Sequence, residues 1–388
     1  MRASPPRNSS LWRRKERGLL TSDKPKKRTL KDVLVYLASI ALAGAFLYFA
    51  FRGVELSALL DILAGASPWW ILALLAAQTL SHWFRAMRWK ALLGSSGKNA
   101  TVNSLFGAVM IGYGVNGVVP RLGEVTRAVI AGKAGGLSSS SALGSIVVER
   151  VIDLLFFGAA VVASGFLYHG DLYEAFPWLE TSIYVGAAFV FVAIVGLALM
   201  IRLRDRFVAL VGAVIAWAGK IGARLVGVVS ASARESALAA SEKLAEKIGG
   251  MMGRIVEGFG SLRGAGNYAY VFFLSGAIIA LYAVVSWFGF FALHMAGVSF
   301  AEAWIMMAIG SIGVMIPTPG GVGSYHALAK SVATGLFGLT ARAGLAYATL
   351  VHGATYLLHA TLAVVYALVV KLYYKREATR DEITNETA

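Results

Sequence analysis

Residues 105–127 read LFGAVMIGYGVNGVVPRLGEVTR, an apolar segment that holds Gly107, Gly112, Gly114, Gly117 and Pro120 and runs straight into Arg121, Glu124 and Arg127. Glycine and proline each weaken a helix interior. Freed backbone groups at membrane depth are tolerated only inside protein or beside a wet cavity. The segment 105–134 is therefore read as a broken, re-entrant hairpin. A second stretch has the same character: 303–316 is apolar, breaks at Pro317-Thr318-Pro319-Gly320-Gly321-Val322-Gly323, and leads back through 324–336. The two breaks share Pro-x-x-Gly-x-Val, as Pro120-Arg121-Leu122-Gly123-Glu124-Val125 and Pro317-Thr318-Pro319-Gly320-Gly321-Val322. Loop charges put the entry of the first hairpin inside and that of the second outside, which predicts an inverted repeat. Paired, interrupted apolar segments in two halves of a chain point to a midplane binding site.

The rest of the sequence supports that frame. Apolar residues make up 57% of 388 positions and charged residues 15%. Several windows run about 20 residues without a charge, the length that crosses a hydrocarbon layer. The expected fold is all-α, with six full crossings at 32–51, 68–84, 142–166, 183–201, 268–295 and 342–371, plus the two hairpins. Lys and Arg number 36 against 21 Asp and Glu, a formal charge of +15. The basic residues gather at the ends of apolar spans, where cytoplasmic loops collect them, so a membrane surface is favoured as partner and nucleic acid is not. Arg85, Arg88, Lys90 and Lys98 are read in this way as a cytoplasmic loop. The absence of Cys excludes a disulfide framework and thiolate metal sites.

Residues 1–31 are polar and basic and read as a disordered cytoplasmic tail. The membrane domain spans 32–371, and within it 202–266 alternates basic and apolar positions at helical spacing, as an amphipathic insertion lying on inner headgroups would. Residues 372–388 form a cytoplasmic C-terminal tail.

Broken helices expose backbone N–H groups and a partial positive charge at each new N-terminus, which makes an anion site. Gly123, Gly320, Gly321 and Gly323, with Ser324 after them, would let backbone approach a phosphate closely. Arg121, Arg127 and Arg150 add forked donors that match phosphate oxygens two at a time. Glu149, Arg150 and Asp153 stand in an otherwise apolar crossing, where ionisable groups are costly unless paired or facing a cavity. Glu149 and Asp153 share one helix face, and Arg150 can pair with Asp153. Two readings stay open: an ionic network that positions the arginines, or a proton or headgroup relay. Glu124 is expected beside Arg121 and Arg127, and His326 is placed to donate to phosphate or take up a proton. His352, Tyr356 and His359 form one stripe and are read, with His82 and Gln78, as polar packing between helices. No nucleophile elbow, phosphate-cradling loop or zincin helix is present, so no catalytic residue, metal or cofactor is assigned.

Pro120-Arg121-Leu122-Gly123-Glu124-Val125-Thr126-Arg127, Glu149-Arg150-Val151-Ile152-Asp153 and Pro319-Gly320-Gly321-Val322-Gly323 together resemble the lysylphosphatidylglycerol synthase membrane-domain family, the flippase-like part of multiple peptide resistance factor proteins. The likeness runs over about residues 32–371. It implies an inner-membrane protein that binds a phospholipid or a related amphiphile and moves it between leaflets, with an anionic phospholipid or an isoprenoid-linked lipid as the expected partner. The basic residues of the two tails put both termini on the cytoplasmic side. The family pattern often has a Glu where His326 stands. The cytosolic aminoacyl-transfer domain is expected to be absent, so synthase activity is not carried over. A second copy of the chain or a partner synthase is left open as protein partner. The competing readings are a membrane-embedded transferase or phosphatase using Glu149, Asp153 and His326, and a non-transporting membrane scaffold.

Overall fold

The protein is described from a computed structural model, which covers residues 51–53, 55–135, 139–167, 205–227, 238–246, 265–295, 297–316 and 318–386 together with isolated positions between 37 and 48, between 181 and 203, and at 235. The crossings expected at 32–51 and 183–201, the tail 1–31 and most of 228–264 lie outside these residues. Among the described residues the structure is all-helical, without a strand.

The helices are α1 (Leu56–Ala64), α2 (Pro68–Leu93), α3 (Val102–Val118), α4 (Leu122–Gly135), α5 (Ser139–Leu167), α6 (Asp205–Gly227), α7 (Ala265–Ala292), α8 (Phe300–Met315), α9 (Ser324–Gly335) and α10 (Ala341–Glu386). Local chemistry sets several ends. Pro68 opens α2 where its missing N–H costs nothing. Thr101 caps α3 through its side chain, and Ser299 with Glu302 closes a capping box on α8.

Two helices are long and apolar enough to cross a membrane, Gly266–Ala292 and Ala341–Leu372; the pair α1 and α2, bent by 84°, brings the total to three if counted as one span. The six-crossing count is thus not reached among the described residues. The arms α3 and α8 have 17 and 16 residues, short of the roughly 20 that a full crossing needs.

Both irregular segments break where the glycines and prolines stand. In the first, α3 ends at Val118, and α4 begins at Leu122 after Arg121 has taken φ 67°. In the second, Gly320, Gly321 and Gly323 take φ 63°, 71° and 90° between α8 and α9. By backbone shape the left-handed residue follows the proline directly in each break, as Pro120-Arg121 and Pro319-Gly320. This places the correspondence two residues away from the one read from Pro-x-x-Gly-x-Val. Glycine is at ease in that region, whereas arginine is held there at a cost.

Packing brings these parts together. α2 lies along α7, α3 along α10, and α9 between α8 and α10. One core gathers Leu74, Phe290, Ile305, Tyr347 and Val351, and a second gathers Trp89, Phe106, Met110, Ala128 and Ile146 around the first hairpin. Outside the bundle α6 leaves Val214 and Trp217 exposed.

Candidate functional site

The two breaks face one cavity of about 730 Å³. Arg121 from the first break and Gly320 and Gly321 from the second both line it. They nearly touch: a Cβ on Gly320 would lie 3.0 Å from the Tyr356 ring and 3.6 Å from the Gly117 carbonyl. The Tyr356 hydroxyl in turn donates to that carbonyl at 3.2 Å.

One end of the cavity is charged. Arg85 donates from Nη1 to Glu149 Oε1 and to Asp153 Oδ2, both at 2.6 Å, and from Nη2 to the Tyr282 hydroxyl at 3.3 Å. Arg88 donates to the Ser275 hydroxyl at 2.9 Å and to Asp153, and its Nη2 stands 3.6 Å from Glu149. Arg127 donates to both oxygens of Glu149 and lies over the Trp89 ring, 3.8 Å from its centre. Glu149 is fully buried, and Arg85, Arg88 and Arg127 are buried with it. At the rim, Arg150 pairs with Glu124 at 3.2 Å and with Asp153 at 3.5 Å. The rest of the lining mixes apolar side chains such as Phe157, Ile278 and Met315 with polar ones such as Ser286, Thr318, His352 and Thr355.

Arg85 and Arg88 correct the sequence reading, which placed them in a loop. They sit inside α2, and helical spacing of three turns both toward α5, where two carboxylates await them. The sequence shows that Glu149 and Asp153 share a helix face and need two cations, which Arg150 alone cannot supply, but not which residues supply them.

The expected site residues fall into three groups. Arg121, Arg150, Glu124, Asp153, Gly320 and Gly321 line the cavity. Arg127 and Glu149 stand behind its charged end, where Glu149 accepts from Arg127 and from Arg85 while the Arg127 Nε–H has no acceptor. Glu124 does not pair with Arg121 or Arg127; it meets Arg150 and accepts from the Asn116 amide at 3.4 Å.

The third group packs the hairpins. The Gly123 amide, expected to face a phosphate, donates to Asn116 Oδ1 at 2.7 Å, and a Cβ there would collide with the Gly112 carbonyl. Ser324 is fully buried and donates to the Gly313 carbonyl at 2.7 Å. Each contact joins positions eleven residues apart, one on either arm of a hairpin. Close approach of backbone is thus real, but it is between arms. Gly323 precedes α9 and accepts from the Ala327 amide at 2.8 Å. His326 lies among Phe51, Tyr325 and His352, and no carboxylate pairs with it among the described residues. The stripe on α10 links helices: His359 Nε2 is 2.7 Å from His82 Nε2, and His352 stacks on Tyr325.

A helical bundle with apolar spans, a charged network inside it and a cavity beside that network defines an integral membrane protein. The chain belongs to the lysylphosphatidylglycerol synthase TM region family, whose pattern matches residues 36–363. It is 28% identical over 336 residues to the glycosyltransferase AglD of Haloferax volcanii, which covers 81% of this chain and 50% of that protein. It is also 26% identical over 152 residues to the UPF0104 membrane protein of Methanocaldococcus jannaschii, covering 37% of this chain and 44% of that one. The chain thus spans about half the length of the curated relatives it matches. No solved structure matches it.

Proposed function

We propose that the chain binds an anionic lipid in the cavity between the two breaks and passes it between leaflets, as a flippase-like translocase. The observation that carries this reading is the cavity's lining: four guanidinium groups over part of it, and apolar side chains interspersed with hydroxyls and imidazoles over the rest. An amphiphile with a negative head fits both halves, and the volume suits a headgroup with the first part of a chain. Arg85 and Arg88 join Arg121 and Arg150 as the cations that receive the head. Glu149 and Asp153 hold Arg85, Arg88 and, through Asp153, Arg150 in place, since each carboxylate already pairs with three arginines. That saturation also favours binding over a transferase or phosphatase, which would need a carboxylate free to move a proton. The name of the Haloferax relative keeps glycosyl transfer in view as the setting.

The membrane arrangement belongs to the same proposal. Six full crossings and two re-entrant hairpins form an inverted repeat in the inner membrane, with both termini cytoplasmic. The matching arm contacts, Gly112 with Gly123 and Gly313 with Ser324, support the repeat. Residues 202–266 lie on inner headgroups, in keeping with exposed Trp217 on α6.

The test is transfer of a fluorescent anionic phospholipid in proteoliposomes. Wild-type protein exchanges label between leaflets, and Arg85→Ala with Arg88→Ala stops it at equal reconstitution. Label that stays in its leaflet with wild-type protein overturns the proposal.

A further inference from the structure

We infer that the head accepted by this cavity is a phosphate monoester carrying two negative charges, a class narrower than the anionic lipid of the proposed function, on which this inference rests. The charge at the site is the starting point. Arg85, Arg88, Arg121 and Arg150 line the cavity with Glu124 and Asp153, while Arg127 and Glu149 stand directly behind them. Five guanidiniums against three carboxylates leave two positive charges uncompensated. No lysine lines the cavity.

Arg85, Arg88 and Arg127 are buried with Glu149 between apolar helices, where unbalanced charge is expensive, while Arg121 and Arg150 are exposed. None of the carboxylates is free to take more: Glu149 serves Arg85 and Arg127, Asp153 serves Arg85 and Arg88, and Glu124 serves Arg150. The Nε–H groups of Arg85, Arg88 and Arg127 are buried without an acceptor, so donors outnumber acceptors as well. Arg121 has no ion-pair partner among the described residues and lines the cavity at the break. A zwitterionic head leaves the surplus untouched. A phosphodiester removes one charge, and a monoester dianion removes both while offering three terminal oxygens to forked donors.

The same chemistry occurs on a lipid or as free phosphate, and the experiment separates them. The full chain is placed in phosphatidylcholine nanodiscs doped with phosphatidic acid or with phosphatidylglycerol of the same acyl chains, or given inorganic phosphate. Native mass spectrometry and thermal unfolding read binding at about pH 8.5 and about pH 5, either side of a monoester's second ionisation near about 6. Phosphatidic acid is expected to bind at least about tenfold more tightly than phosphatidylglycerol at the higher pH, with the preference lost at the lower. His352 and His359 also line the cavity, with Tyr113, Tyr282, Tyr325, Tyr347 and Tyr356, so a change of pH does not act on the lipid alone. The decisive arm is therefore at fixed high pH: Arg121→Gln, which removes one charge at an exposed position, brings the two lipids to within about threefold.

Equal binding of both lipids by wild-type protein overturns the dianion while leaving the anionic-lipid site standing. Binding of neither overturns both. Inorganic phosphate that competes as well as phosphatidic acid upholds the dianion and overturns the lipid as its source.

Discussion

Arg85 Nη1 lies 2.6 Å from Glu149 Oε1, and the two side chains are 5% and 0% exposed. A pair so deeply buried is worth little against apolar replacements of both partners, yet losing one partner strands a charge at a cost of about 3–5 kcal/mol. Glu149→Gln faces the larger loss, because it leaves Arg85, Arg88 and Arg127 crowded without their shared acceptor. Arg85→Met falls near the lower bound, since Arg127 still satisfies Glu149. Thermal unfolding in detergent checks this: both single variants drop, and the double variant loses less than their sum.

Arg121 tests whether backbone strain is kept for function. Its φ of 67° costs about 1 kcal/mol for a residue with a Cβ. Arg121→Gly should equal or exceed the stability of the wild type, while Arg121→Ala keeps the strain. Both should lose the stabilisation that anionic lipid gives the wild type, as read by unfolding with and without that lipid.

Closure of the first hairpin depends on Gly123. A Cβ there collides with the Gly112 carbonyl and the Asn116 side chain. Gly123→Ala should cost more than about 2 kcal/mol, by overpacking and loss of the Asn116 contact. Gly212→Ala on α6, with nothing within 4 Å of the new methyl, is the matched control and should be neutral or stabilising. Equal yields of folded protein from both variants would remove the arm contact from the account.

The bond from Tyr356 to the Gly117 carbonyl joins α10 to the first break. Tyr356→Phe removes it and keeps the ring against Gly320, so stability should fall by about 0.5–1.5 kcal/mol. Hydrogen exchange should rise at 115–121 and remain unchanged in α5.

The breaks were legible because glycine and proline act locally: both hairpins turn where the sequence places them. The acids of α5 were legible as misfits in an apolar run. Arg85 and Arg88 were not, since a basic residue at the end of an apolar window looks the same whether it faces an inner loop or turns into the bundle. Only the partner helix decides, and that is a tertiary fact. Gly123 and Ser324 misled for a related reason. A small residue permits close approach, but sequence does not say whether the approaching group is a ligand or the other arm of the hairpin.

The central claim is that an anionic lipid occupies the cavity between the breaks. Photo-crosslinking tests it most directly, with an anionic phospholipid carrying a diazirine near the head of its acyl chain and adducts mapped by mass spectrometry. Phe157, Tyr282 and Ile316 line the cavity and are partly exposed, so a lipid held there can reach them. Adducts at these three positions, lost in the Arg85→Ala with Arg88→Ala variant, are the predicted result. Adducts confined to outward residues such as Phe272 and Leu357, with no change in that variant, would contradict it.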